Sequence, residues 1–385
     1  MSLISGDAVI INGSDLAHID SETGIVTQSV GTLHTYPNDV IIYDNAAFVV
    51  NSGVDTGTLQ KFDLDTWNLT ELGIGTGWNC WTTLPLIDGK LAVTAALNNS
   101  IEMVNPNTMQ VTSSISGVGP NPEWMAGSNN LLYTACGGWG AGQSVVVTNI
   151  TDGSVIDTLT VDTNCQSVVV SDNNYLFATC SGTYGNNEGS VVVIDLSTGN
   201  TLVTLTVGGF PAFSVAANNI LYISDPWGAG IYSIDMTSLT VRHDSTNPFT
   251  TGGNGLAVDE DGYLWITDGM NSSVRVYDTT ETLVQTYSVT SPAAIAVQGS
   301  FLGITNNDLP ENQLIRISPN PAVNFISVSG AIPGGNVRIF DITGRTASTT
   351  SVDGNGFASI DVSALKTGLY TVISGSGSAR FAVTK

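Results

Sequence analysis

A single motif recurs seven times along the first three quarters of the chain, and it limits the fold more than any other feature. An apolar strand ends in Asp or Asn and runs into a polar turn, with anchors at Asp20, Asp63, Asn105, Asn149, Asp195, Asp235 and Asp278. The anchors lie 43, 42, 44, 46, 40 and 43 residues apart. Two copies show the pattern, Lys61-Phe-Asp-Leu-Asp-Thr-Trp67 and Val193-Ile-Asp-Leu-Ser-Thr-Gly199. A period near 43 is that of a four-stranded propeller blade, and strands this short and Gly-rich do not fit a helical repeat. Gly at 42 of 385 residues, with only 11% charged residues, agrees with strands joined by tight turns rather than long helices.

A second motif, out of phase with the first, marks the start of each innermost strand: Pro37-Asn-Asp39, Asn79-Cys-Trp81, Asn121-Pro-Glu123, Asn164-Cys-Gln166, Phe210-Pro-Ala212, Asn254-Gly-Leu256 and Ser291-Pro-Ala293. The last copy has no outer strands after it. Ser291–Thr305 is therefore expected to supply inner strands to the blade whose outer strands come from Ala8–Val30. Such an exchange removes free sheet edges. The fold class expected is all-β: a seven-bladed β-propeller over residues 1–311, closed by N- and C-terminal strand exchange, then a small β-sandwich over 312–385. The chain is expected to be a monomer.

Two segments carry a family resemblance. Val191–Gly209 resembles the YVTN/YncE-type propeller repeat, and Gly255–Asp268 resembles the related NHL-type blade. This implies architecture only, because one propeller fold serves many functions. From Leu314 short alternating strands replace the repeat, as in a small immunoglobulin-like sandwich. There Ser318-Pro-Asn-Pro321, Asp341-Ile-Thr-Gly-Arg345, Leu365-Lys-Thr-Gly-Leu-Tyr370 and Arg380–Lys385 together resemble the type A sorting domain of the type IX secretion system. The residues carrying the likeness are Pro319, Asn320, Pro321, Gly344, Arg345, Gly368, Tyr370 and Lys385. It implies type IX machinery as a partner and a place outside the cell or on the outer-membrane surface. It also implies a leader peptide, of which Met1–Asp7 shows neither the positive nor the long apolar part.

Charge is divided as sharply as the pattern. Residues 1–311 hold four Lys/Arg against 30 Asp/Glu, a net −26, whereas residues 312–385 come to +3. A domain at −26 repels phosphate backbones and anionic membranes, so no nucleic-acid partner is expected. No apolar run reaches membrane-spanning length, so no membrane insertion is expected either. Of four cysteines, one pair has a geometric argument: if Cys165–Val170 and Tyr175–Cys180 form a hairpin, Cys165 faces Cys180 within disulfide reach. The alternative is two reduced, half-buried thiols.

Site candidates come from the loops of one propeller face. The aromatics are Trp78, Trp81, Trp124, Trp139 and Trp227, the last two in similar loops, Gly137-Gly-Trp-Gly-Ala-Gly142 and Asp225-Pro-Trp-Gly-Ala-Gly230. Exposed rings stack on sugars or hold a partner's apolar side chains. Asp39, Glu123, Asp225 and Asp268 are candidates for a polar channel or an oxygen-ligated calcium. Cations are scarce there, which disfavours proton-transfer and oxyanion chemistry. No catalytic residue and no cofactor other than calcium is expected. The leading expectation is a non-catalytic module for an extracellular ligand, glycan or protein. The alternatives are a calcium-dependent lactonase- or lyase-like enzyme and a purely structural surface component.

Overall fold

The computed structural model describes residues 6–227, 230–299, 304–305, 315–331, 335–341, 345–353, 356–374 and 377–385. It divides into two compact units, Met1–Ile304 and Thr305–Lys385. Among the described residues no helix is long and apolar enough to cross a membrane.

In the first unit the described strands form seven antiparallel sheets, each an up-and-down run of four strands. The innermost strands are Pro37–Tyr43, Cys80–Pro85, Pro122–Ser128, Cys165–Val170, Phe213–Ala217, Leu256–Val258 and Pro292–Val297. Each lies beside the next, and Pro292–Val297 also lies beside Pro37–Tyr43. The two ends of the unit share a sheet, because Pro292–Val297 pairs with Ala8–Asn12. Only that strand does so. Ile304–Thr305, expected in the same sheet, lies instead at the edge of Pro122–Ser128 as a fifth strand.

The turn motif has one physical job at all seven positions. The anchor side chain accepts backbone N–H groups that the turn would otherwise leave unpaired. Asp63 takes the N–H groups of Asp65 and Thr66 and the Thr66 hydroxyl. Asp20, Asn105, Asn149, Asp195, Asp235 and Asp278 each accept from residues two to four positions on. Three copies place Gly24, Gly153 and Gly199 in the left-handed region that follows. Trp67, Met109, Leu239 and Glu281 take that conformation elsewhere.

Apolar residues fill the space between neighbouring sheets. Val145 and Val147 of one sheet pack with Leu176, Ala178, Val192 and Ile194 of the next. Trp265, fully buried, stacks on Tyr287 at 5.8 Å and donates its indole N–H to Asp259 Oδ2 at 3.0 Å.

The second unit has a three-stranded sheet (316–318, 325–329, 357–361) and a four-stranded one (346–351, 336–341, 368–374, 377–383). Their inner faces share one core that includes Ile326, Val328, Val337, Ile339, Ile360, Val372 and Phe381.

Candidate functional site

In an up-and-down sheet, the loop joining second to third strand and the loop leading to the next sheet lie at the same end. Repeated around the first unit, these loops make one face. Trp139 and Trp227 sit there, 59% and 79% exposed. Trp139 is held in a tight turn between Gly138 and Gly140 with a positive φ of 58°. The Trp227 backbone N–H donates to Asp225 Oδ1 at 3.1 Å. Tyr184, also exposed, meets Phe210 edge-on at 5.6 Å.

The other three candidate tryptophans are not displayed in this way. Trp78 is half-buried, with its ring lying over Gly75 where a Cβ would stand. Trp81 and Trp124, also half-buried, meet nearly perpendicular at 6.1 Å. Trp124 reaches Phe213 at 5.2 Å, although the sheet of Cys165–Thr206 comes between theirs in sequence. Contact between non-consecutive sheets means that these side chains extend from the inner strands toward a shared centre. Trp81, Trp124 and Phe213 meet one another there, and Phe213 went unforeseen because it follows its motif by one residue.

The four carboxylates do not converge. Among the described residues no three His, Cys, Asp or Glu side chains gather as a metal-binding group. Each is instead held by donors near its own sheet. Asp39 Oδ2 accepts from Thr82 Oγ1 at 2.6 Å and from the Thr83 N–H at 3.0 Å, clamping one inner strand to the next. Burial raises its pKa, and those bonds oppose the rise. Asp225 accepts from the Phe210 N–H and from Tyr232 Oη. Asp268 accepts from Asn271 and lies 3.3 Å from the Arg275 guanidinium.

Glu123 differs. It is buried, Oε1 accepts from Asn121 Nδ2, and Oε2 has no partner among the described residues. Burial pushes its pKa up to about 8 against that one bond. The polar ends of Gln166, Glu123 and Asn164 meet over Gly137, where a Cβ would lie 2.9, 3.1 and 3.3 Å from them. Asn121, Asn164 and Gln166 stand in the inner-strand motif itself, so this cluster was within reach of the sequence.

Cys165 and Cys180 are register partners on adjacent strands, and both are buried free thiols. A bulge after Cys165 makes Val170 pair with Leu176 rather than Tyr175, yet leaves the cysteines opposed.

In the second unit three of the sorting residues, Asn320, Arg345 and Tyr370, make contacts that brace the fold. Asn320 Nδ2 donates to the Arg380 carbonyl at 3.2 Å, and Asn320 Oδ1 accepts from the Ala382 N–H at 3.0 Å. Pro319 and Pro321 flank that clamp. Tyr370 donates to the Lys366 carbonyl at 2.9 Å and packs on Phe381. The Arg345 N–H closes a turn on Asp341 Oδ1. Gly368 opens the Tyr370 strand and Lys385 is exposed. Gly344 lies outside the described residues.

Known structures resemble this chain at the level of fold. The β-propeller domain of Myceliophteria thermophila Cps50 (Swd1) aligns at a TM-score of 0.53 and 12% identity, over 77% of this chain and 93% of its own. Virginiamycin B lyase from Staphylococcus aureus aligns at 0.54 and 14%, over 68% and 88%. PorZ, a surface component of the type IX secretion system of Porphyromonas gingivalis, aligns at 0.50 and 13%, over 99% of this chain and 64% of PorZ. A search of curated proteins found no significant match. Residues 316–385 match the model of the secretion system C-terminal sorting domain, so the chain joins a β-propeller to a sorting tail of that family.

Proposed function

We propose that this is an exported seven-bladed propeller of the YVTN/NHL kind, acting as a non-catalytic binding module at the cell surface or beyond it. Pairing of Pro292–Val297 with Ala8–Asn12 supports a ring closed by strand exchange. The shared core of the two tail sheets supports an immunoglobulin-like sandwich, read by the type IX machinery. The sorting-domain match over 316–385 carries the export reading. Binding is assigned to the face of Trp139 and Trp227. Its loops contain no Lys or Arg, and their one histidine, His34, is bonded to Glu71 at 2.8 Å. Among the described residues no ligand set gathers for the lactonase- or lyase-like reading, and Asp39, Asp225 and Asp268 are each engaged locally.

The test is fractionation of a host with type IX machinery. With a periplasmic leader supplied to both, the full chain should reach the surface or medium, and a chain ending at residue 311 should stay in the periplasm. Equal export of both would overturn the reading. Thermal unfolding with calcium, magnesium and soluble glycans then tests the binding half, since saturation at about 100 times Kd adds roughly 2.7 kcal/mol.

A further inference from the structure

The second-to-third-strand loops share a feature beyond the two tryptophans. In six consecutive sheets each such loop exposes one large apolar side chain: Val54, Leu97, Trp139, Tyr184, Trp227 and Met270. They are 57% to 93% exposed and lie 43, 42, 45, 43 and 43 residues apart, the period of the sheets themselves. Isolated exposed apolar residues are ordinary, but one per repeat at one structural position is a surface. Among the described residues the loops of the opposite face expose only Ile87 of the large apolar side chains, and the unit's other examples, Tyr36 apart, lie on outermost strands.

Charge marks the same face. Asp55, Asp162 and Glu188 are exposed in its loops, which contain no Lys or Arg. All four cations of residues 1–311 are already engaged. Lys61 donates to the Pro106 carbonyl, Lys90 pairs with Asp88, Arg242 with Glu281, and Arg275 with Asp268. None of the four stands in a loop of this face.

We propose that this apolar crown docks a protein surface on which aliphatic or aromatic side chains are interspersed with Lys and Arg. The inference rests on the binding role given above to this face and names the class of partner. A glycan fits less well, because Val54, Leu97 and Met270 have no ring to stack on a sugar. A protein partner seats aliphatic as well as aromatic side chains, and its cations meet the acidic rim.

The experiment selects a random 12-residue peptide display library against the full chain. Enriched peptides should combine Lys or Arg with apolar residues. Their affinity should fall about tenfold or more in Trp227→Ser and Tyr184→Ser, as for interface anchors. It should also fall when salt is raised to about 0.3 M. Ile87→Ser, on the opposite face, should bind as wild type does. Enriched peptides without cations that still lose binding in the crown variants would overturn the basic-partner inference and leave the face as a binding site. Peptides that bind the crown variants unchanged, or no enrichment at all, would overturn both.

Discussion

The two units carry their information in opposite ways. Residues 1–304 repeat one plan, and the repeated residues are architectural: seven Asp or Asn anchors each tie down a turn. What varies between copies, the loop residues Trp139, Tyr184 and Trp227, is what faces outward. Residues 305–385 do not repeat, and the residues that resemble a sorting signal also brace the sandwich, as Asn320 and Tyr370 do. In the first unit, scaffold and display are separate sets of residues. In the second the two sets overlap at Asn320 and Tyr370, so damage to the signal there is also damage to the fold.

The largest expected break in this division of labour is at Glu123, a motif residue of the propeller whose burial works against folding. Its pKa near 8 stands above the unfolded value of about 4.3. The folded state therefore binds the extra proton, and stability falls as pH rises from about 4.3 to about 8, then levels. Glu123→Gln keeps an oxygen for Asn121 and removes the charge. It should be more stable than wild type at pH 9 by an amount of the order of 5 kcal/mol, and nearly equal at pH 4. Urea unfolding at the two pH values checks this, and parallel pH profiles would show that Glu123 is not the titrating group.

The next concerns Cys165 and Cys180, opposed in register and reduced in this structure. A chain sent through the oxidising periplasm should leave with that pair joined by exchange with a protein disulfide donor, which departs as a dithiol. Non-reducing peptide mapping of exported protein should find a 165–180 cross-link. Its reduction should then cost about 3 kcal/mol for a loop of about 15 residues. Both thiols alkylated in exported protein would show that they serve as small core residues.

Smaller effects compare the units directly. Asp63→Ala removes three hydrogen bonds from an exposed turn and should cost about 1–2 kcal/mol. Asn320→Ala removes two and should cost a similar amount. The consequences should differ, because a small sandwich has little stability to lose. The first variant should still be exported, and the second should lose export together with the tail's melting transition. Equal export of both would place recognition apart from the fold of the tail.

How much of this the sequence disclosed follows from what repeats. The anchor spacing and the inner-strand motif located the sheets, and the cysteine hairpin survived a bulge that shifted its far end by one residue. Strand exchange was legible only in part. Pro292–Val297 goes where the orphan motif pointed, but Ile304–Thr305 is two residues long and carries no pattern that could fix its partner. Site chemistry was harder to read. Trp81 and Trp139 look alike in sequence, yet one meets Trp124 near the inner strands and the other stands in solvent. Asp225 and Glu123 look equally free until the neighbours are known: Tyr232 and Phe210 satisfy the first, and the second keeps a bare oxygen. Pairing across strands decides such cases, and side-chain type alone does not.

The smallest expected change in stability is the most informative about display. Trp139→Ser with Trp227→Ser removes two rings that are mostly in water and bury little apolar area. Surface changes of this kind usually fall within about 0.5 kcal/mol, so the melting temperature should barely move. A core tryptophan such as Trp265, fully buried, should by contrast cost about 3–5 kcal/mol on truncation to Ala. If the double variant unfolds several degrees early, the two rings are scaffold, and the separation of scaffold from display fails in the unit where it was drawn most sharply. If it melts with wild type, these large rings owe nothing to folding. Their cost in exposed apolar area is then explained by what they meet outside the chain.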